Sequence, residues 1–204
     1  MALAAHDQVL AHPGAALALC LARMGEVLRA RWIDEAAYAP YGSIVRARAG
    51  APPREANHGR AQAWDGLARV LNPRGDAAAL EASLFRCLPY AGEVVPLSTL
   101  ERHPRSTQLF APMWSGERAP LFLVVVALGD AAPDLATLRA FAASGATAIT
   151  YHAGVWHHPM IALGAAIDFV NLVSPDGAEK NCEELDVAAR GLTVALGDIR
   201  TAAM

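Results

Sequence analysis

Apolar residues recur at intervals of three and four along the start of the chain, at Leu10, Leu17, Leu21, Met24 and Leu28. That period places them on one side of an α-helix, which His12-Pro13-Gly14 interrupts. The pattern predicts an N-terminal helical extension over residues 1–28, followed by a single domain over 29–204. From Arg29 the texture changes to short runs punctuated by Pro and Gly, as at Pro40-Tyr41-Gly42, Asn72-Pro73-Arg74-Gly75 and Pro175-Asp176-Gly177. Ser43–Arg48 alternates, Ser83–Leu88 alternates loosely, and Leu121–Leu128 is continuously apolar; Ala146–Tyr151 and Ile167–Val173 follow. Short strands between turn signals predict a mainly β fold, an antiparallel sandwich or barrel. One helix is expected within it. Pro133-Asp134 suits a first turn, Leu135, Leu138 and Phe141-Ala142 make an apolar face, and Ser144-Gly145 ends it.

Composition narrows the class. A chain of 204 residues can bury a real core, and 54% hydrophobic with 18% charged residues is a globular balance, not a disordered one. The net charge of −3 comes without any basic stripe, which argues against a nucleic-acid partner. Ala15–Ala22 is too short to span a bilayer, lacks a basic flank before it, and is closed by Arg23. No membrane segment is expected. Cys20, Cys87 and Cys182 form no Cys-x-x-Cys pair, so a disulfide framework is not expected and a reducing, cytoplasmic setting is.

Two stretches concentrate chemistry. "ERHPRSTQLFAP" brings Glu101, Arg102, His103 and Gln108 together. In an extended strand Glu101 and His103 share one face and Arg102 takes the other. A carboxylate and an imidazole on one inward face form an acid/base pair or two metal ligands. "YHAGVWHHPM" supplies Tyr151, Trp156, His157 and His158. Gly154 can host a bulge that resets the alternation, which leaves open which adjacent histidine faces inward. The plain alternatives are a solvated Glu101–Arg102 pair, a core tryptophan and hydrogen-bonded structural histidines. Gly-x-Ser-x-Gly, phosphate-loop and dinucleotide motifs are absent.

Those stretches resemble the ureidoglycolate lyases, also called ureidoglycolate hydrolases. "WHHPMIAL", with Tyr151 and Gly154 before it, resembles their signature. "ERHPRSTQLFAP" resembles their Glu-Arg-His-Pro-x-Gly-Ser-Gln-Ala-Phe-x-Pro segment. "EAAYAPYGSIV", "LFLVVVALGD" with "LRAF", and "NCEE" resemble further blocks in the family's order, from Ile33 to Glu184. The chain departs from the pattern at Ser106 (usually Gly), Thr107 (Ser), Leu109 (Ala) and Asn181 (often Asp). Ser106 calls into question any left-handed backbone there.

The resemblance implies a cupin-like, jelly-roll type antiparallel β barrel with a few short helices, and a homodimer. It implies a carbon–nitrogen lyase that splits ureidoglycolate into glyoxylate and urea in allantoin and purine breakdown. Under it, Glu101, His103, His157 and His158 are the catalytic candidates. Arg102, Gln108, Tyr151 and Trp156 are the candidates for binding substrate, with the strand parity speaking against Arg102. The elimination requires no cofactor; His103, Glu101 and His158 are candidate ligands for a divalent ion, nickel or zinc. Two other readings are open: an amidohydrolase that releases ammonia, and a non-catalytic cupin that binds a small acid.

Overall fold

The computed structural model describes residues 25–48, 50, 52–71, 80–114, 119–174 and 181–203. Most of the expected helical extension, residues 1–24, lies outside them. Leu28, the last position of its period, is instead the buried middle residue of strand β1 (Val27–Arg29). In chain order there follow β2 (Arg31–Trp32), a one-turn helix Glu35–Tyr38, β3 (Gly42–Val45) and the hairpin β4 (Arg54–Ala56) and β5 (Ala61–Ala63). Next come β6 (Glu81–Cys87), β7 (Pro89–Tyr90), β8 (Val94–Pro96), β9 (Thr99–Arg102), β10 (Gln108–Pro112) and β11 (Leu121–Ala127). The remainder is β12 (Arg139–Ser144), β13 (Ala148–Tyr151), β14 (Trp156–His157), β15 (Ile161–Leu163), β16 (Ile167–Val173), β17 (Glu183–Asp186), β18 (Thr193–Ala195) and a closing helix, Asp198–Ala203.

The continuous apolar run becomes β11, and its position explains its composition. All seven of its residues are buried. Leu121, Leu123, Val125 and Ala127 point into one core with Leu28, Val95, Leu100, Trp156 and Val194. Phe122, Val124 and Val126 point into a second core with Ile44, Phe110, Phe141, Ile149, Tyr151 and Phe169. A strand buried on both faces has no solvent side and so reads as an unbroken hydrophobic stretch. β11 sits inside the sheet β17-β9-β14-β11-β12-β2, to which β15 and β7 attach. The sheet β3-β13-β10-β16-β6 supplies the second core's other wall, and β1-β18-β8 supplies the first core's.

Two expectations are corrected. The fold is mainly β and mostly antiparallel, but the ladders of the described residues form separate sheets and do not close into one barrel. The helix expected from Pro133 is a single 3-10 turn, Leu135–Thr137, capped by Asp134, whose carboxylate accepts from Ala136 N at 2.9 Å. After it the chain extends as β12, antiparallel to β11 in register from Val126↔Arg139 to Leu121↔Ser144. The reason lies in burial on two sides. Ala140 and Ala142 fill the first core while Phe141 and Ala143 fill the second. A helix would bury one stripe; only a strand serves both cores.

No helix among the described residues is long and apolar enough to cross a membrane.

Phe141 is fully buried and meets Tyr38 edge-on, with ring centroids 5.6 Å apart. Phe141→Ala is expected to cost about 3–5 kcal/mol of stability, read from the urea unfolding midpoint. A midpoint equal to the wild type's would contradict the two-core packing.

Candidate active site

β9 and β14 run antiparallel, and their register sets His157 directly opposite Glu101. Alternation then sorts the neighbours. Leu100 and Trp156 enter the first core, so Glu101 and His157 face the second. His157 is 1% exposed, and its ring stacks on Tyr151 with centroids 4.0 Å apart. The His103 ring lies 5.7 Å from that of His157. The turn between β13 and β14 makes this possible. Gly154 adopts φ +80°, a backbone that glycine takes without strain, and its N–H donates to His103 O at 2.9 Å.

The backbone also decides how the imidazoles are protonated. Nδ1 of His157 lies 2.9 Å from Val155 O, and Nδ1 of His103 lies 2.9 Å from Asn181 O. A carbonyl only accepts, so each Nδ1 carries the proton and Nε2 is the basic nitrogen of the neutral ring. Nε2 of His157 stands 3.4 Å from Glu101 Oε1, at ion-pair distance but without hydrogen-bond geometry to any partner. A lone pair facing a carboxylate is repulsive. The contact becomes favourable once a proton or a cation lies between them.

Charge follows the same logic. Burial pushes the Glu101 carboxyl upward, but contact with His157 and the charges of His157, His103 and His158 outweigh it and hold it below the ordinary value. Burial drives the Tyr151 phenol far above its usual range, with Glu101 and Cys87 adding to the shift, so it stays neutral. Burial also lowers His158, against the opposing pull of Pro159 O and Glu101.

On the opposite sheet, Gln108 of β10 pairs in register with Tyr151 of β13. Gln108 Oε1 and Tyr151 OH are buried without a hydrogen-bond partner. Two unsatisfied polar atoms on one inward face, beside a buried imidazole and a carboxylate, make this face a candidate ligand site.

The structure separates the other candidates from this group. Arg102 takes the opposite face of β9, where Glu183 binds its Nη2 at 2.6 Å and Asp130 O meets its Nη1. Its guanidinium lies 4.9 Å above the Trp156 ring, whose Nε1 donates to Asp130 O at 3.3 Å. Trp156 belongs to the first core and so does not pack over a ligand held by Glu101 and His157. Of the paired histidines, His157 joins the site; His158 is half-buried with Nδ1 2.8 Å from Pro159 O.

A divalent ion fits the residues present. Glu101, His103 and His157 each offer a ligand atom within 4.8 Å of the others. Both imidazoles hold carbonyls through Nδ1, as metal-ligating histidines do. His157 thus takes the place expected of His158. A second group, Glu101, Cys182 and Glu184, shares the carboxylate, because Glu184 is the register partner of Glu101 on β17.

Two contributors are not among the site candidates of the sequence, although Asn181 stands there as a departure from the family's pattern. Asn181 bonds Arg105 N, Ser106 Oγ and Ser174 O through its side chain while its own carbonyl holds His103. Asn171 is a polar residue on the inward, otherwise apolar phase of β16, and that misfit was its readable signal.

The chain is similar to known proteins over most of its length. The family model described as ureidoglycolate lyase matches residues 25–194. The ureidoglycolate lyase of Salmonella typhimurium (strain LT2) is 37% identical over 154 residues, spanning 74% of this chain and 88% of its own length. That of Salmonella paratyphi B (strain ATCC BAA-1250 / SPB7) is 36% identical over the same shares. The chain belongs to the ureidoglycolate lyase family.

Proposed function

We propose that this chain is a ureidoglycolate lyase, splitting ureidoglycolate into glyoxylate and urea in allantoin breakdown, in the cytoplasm. The observation that carries the chemistry is the contact of half-buried Glu101 with buried His157, with Tyr151 and Gln108 beside it. Cys87, a free thiol, fits a reducing compartment. The jelly-roll arrangement of cupins is part of the same reading.

Ureidoglycolate is a hemiaminal: one carbon carries a hydroxyl, a carboxylate and the urea nitrogen. Elimination needs a base at the hydroxyl and an acid at the departing nitrogen. Glu101, kept ionised, takes the hydroxyl proton, and that electron pair becomes the carbonyl of glyoxylate. The carbon–nitrogen bond breaks, and its pair accepts a proton from Nε2 of protonated His157. Glu101 is then protonated and His157 neutral, 3.4 Å apart. A proton crossing that gap restores both for the next turnover. Gln108 and Tyr151 hydrogen-bond the ureido group. His103 assists from beside His157, whereas His158 has its Nδ1 on Pro159 O and no contact with Glu101 like that of His157.

Glu101, His103 and His157 would hold a divalent ion, which would supply Lewis-acid stabilisation in place of the proton transfers at Glu101 and His157. The amidohydrolase reading calls for attack on the ureido carbonyl and release of ammonia; a binding cupin turns nothing over. The carboxylate–imidazole pair and the family favour the lyase.

Incubation with racemic ureidoglycolate is expected to yield glyoxylate and urea in equal amounts, with no ammonia. Glu101→Gln is expected to lower kcat by about 100- to 10,000-fold. Full activity after treatment with a chelator establishes the metal-free route, and loss restored by nickel or zinc establishes the ion. Ammonia in place of urea would overturn the lyase.

Arg102→Ala is expected to leave KM within about twofold while costing roughly 1–3 kcal/mol of stability, since a part-buried charge pair and its stacking are removed. A large rise in KM at unchanged stability would return Arg102 to the substrate site.

We also propose a homodimer. β6 ends its sheet and exposes Leu84 at 57%, with Leu88 beyond it at 74%. An apolar sheet edge is a surface that a second copy can cover. Light scattering is expected to give twice the 21.5 kDa chain mass, and Leu84→Glu is expected to shift it toward one. A wild-type monomer at micromolar concentration would end this proposal.

A further inference from the structure

We propose that Asn171 is a further substrate-recognition residue, its amide oxygen accepting a hydrogen bond from the terminal NH2 of the ureido group. The inference rests on the lyase reading and adds to it the orientation of the substrate.

β16 turns Ile167, Phe169 and Asn171 into the second core, at 1%, 0% and 2% exposure. The first two are ordinary core residues. Asn171 is not, because a buried amide must find partners. Its Nδ2 donates to Ser83 Oγ on β6 at 3.1 Å, which anchors the side chain, and its Oδ1 has no partner. The ladder places this oxygen relative to the site. Asn171 pairs with Phe110 of β10, and Gln108 lies two residues along the same inward face, opposite Tyr151. Asn171 is therefore the diagonal neighbour of Gln108, close enough for one small ligand to reach both.

The inward atoms left unsatisfied on this wall are two amide oxygens and a phenol: Asn171 Oδ1, Gln108 Oε1 and Tyr151 OH. Two acceptors beside one hydroxyl repel a carboxylate and match a ureido group. That group offers N–H donors from both nitrogens and a single carbonyl for the phenol. The urea end of the substrate thus lies against β10 and β16, with Asn171 at its terminal nitrogen. The reacting carbon faces Glu101 and His157.

The test compares ureidoglycolate with N-acetyl-α-hydroxyglycine, in which methyl replaces the terminal NH2 and cleavage yields glyoxylate and acetamide. A site built to pair an N–H rejects the analogue lacking it, so the wild type is expected to favour ureidoglycolate by about a hundredfold or more in kcat/KM. Asn171→Leu, close in size but without an acceptor, is expected to cut that ratio at least tenfold, mainly through ureidoglycolate. Asn171→Asp, which keeps an acceptor, is expected to retain most of it. Should the leucine variant not fold, Ser83→Ala at the exposed anchor gives the same reading, with a several-fold fall in the ratio. Equal losses for both substrates would reduce Asn171 to a structural residue and overturn the inference. Absence of glyoxylate from the wild type would instead overturn the lyase reading itself, a separate result.

Discussion

A carboxylate oxygen and an imidazole nitrogen stand 3.4 Å apart because two short strands pair there and nowhere else. The rest of the site depends on that register. Side chains alternate with a period of two, so a slip of one residue would send Glu101 and His157 into the first core and bring Arg102 and Trp156 inward. The register is secured on both sides. β14 is held by β11 through Val126↔His157, and β9 by β17 through four consecutive pairs. The repulsion between a carboxylate and an imidazole lone pair is thereby built in, and a proton or a cation placed between them would relieve it.

The two cores divide the labour. On one face of β9 and β14, Arg102, Glu183 and Trp156 form a charge-and-ring stack that closes the sheet against the loop at Asp130. On the other face, burial strips water from His157 and Tyr151 and in part from Glu101, and that raises the strength of the charge interactions among them. Residues adjacent in sequence therefore have opposite tasks. The unbroken apolar β11 makes this arrangement possible, since it can back both faces at once.

What the sequence disclosed follows from how local each signal was. Strand alternation alone separates Glu101 and His103 from Arg102, because that inference needs only a period of two. Ile167–Val173 was readable to the residue as a β-rich run, although Asn171 on its inward phase and Val170 and Leu172 on its outward one break the apolar alternation. The choice between His157 and His158 was not, because the turn at Gly154 interrupts the count and only the pairing with Glu101 restores it. The helix expected after Pro133 failed for a different reason. Over eight residues, a helical stripe and a strand buried on both faces leave the same apolar marks, and the deciding partner, β11, lies elsewhere in the chain. Closure of a barrel was a statement about ladders between distant strands, beyond the reach of any local pattern.

Two of the positions that depart from the pattern of the resemblance meet in the structure. Ser106 and Asn181 replace a usual Gly and a common Asp, and the two side chains touch: Asn181 Nδ2 donates to Ser106 Oγ at 2.9 Å. The same Nδ2 donates to Ser174 O, and Oδ1 accepts from Arg105 N. An aspartate at 181 would meet the Ser174 carbonyl with a second acceptor, whereas the asparagine satisfies every neighbour. Ser106 needs no glycine backbone, since positive φ among the described non-glycine residues is confined to Asn57 and His58. The two substitutions thus form one hydrogen-bonded unit. That unit carries the carbonyl that fixes the proton on His103 Nδ1. With Nδ1 so engaged, Nε2 is the nitrogen that the imidazole presents to the site.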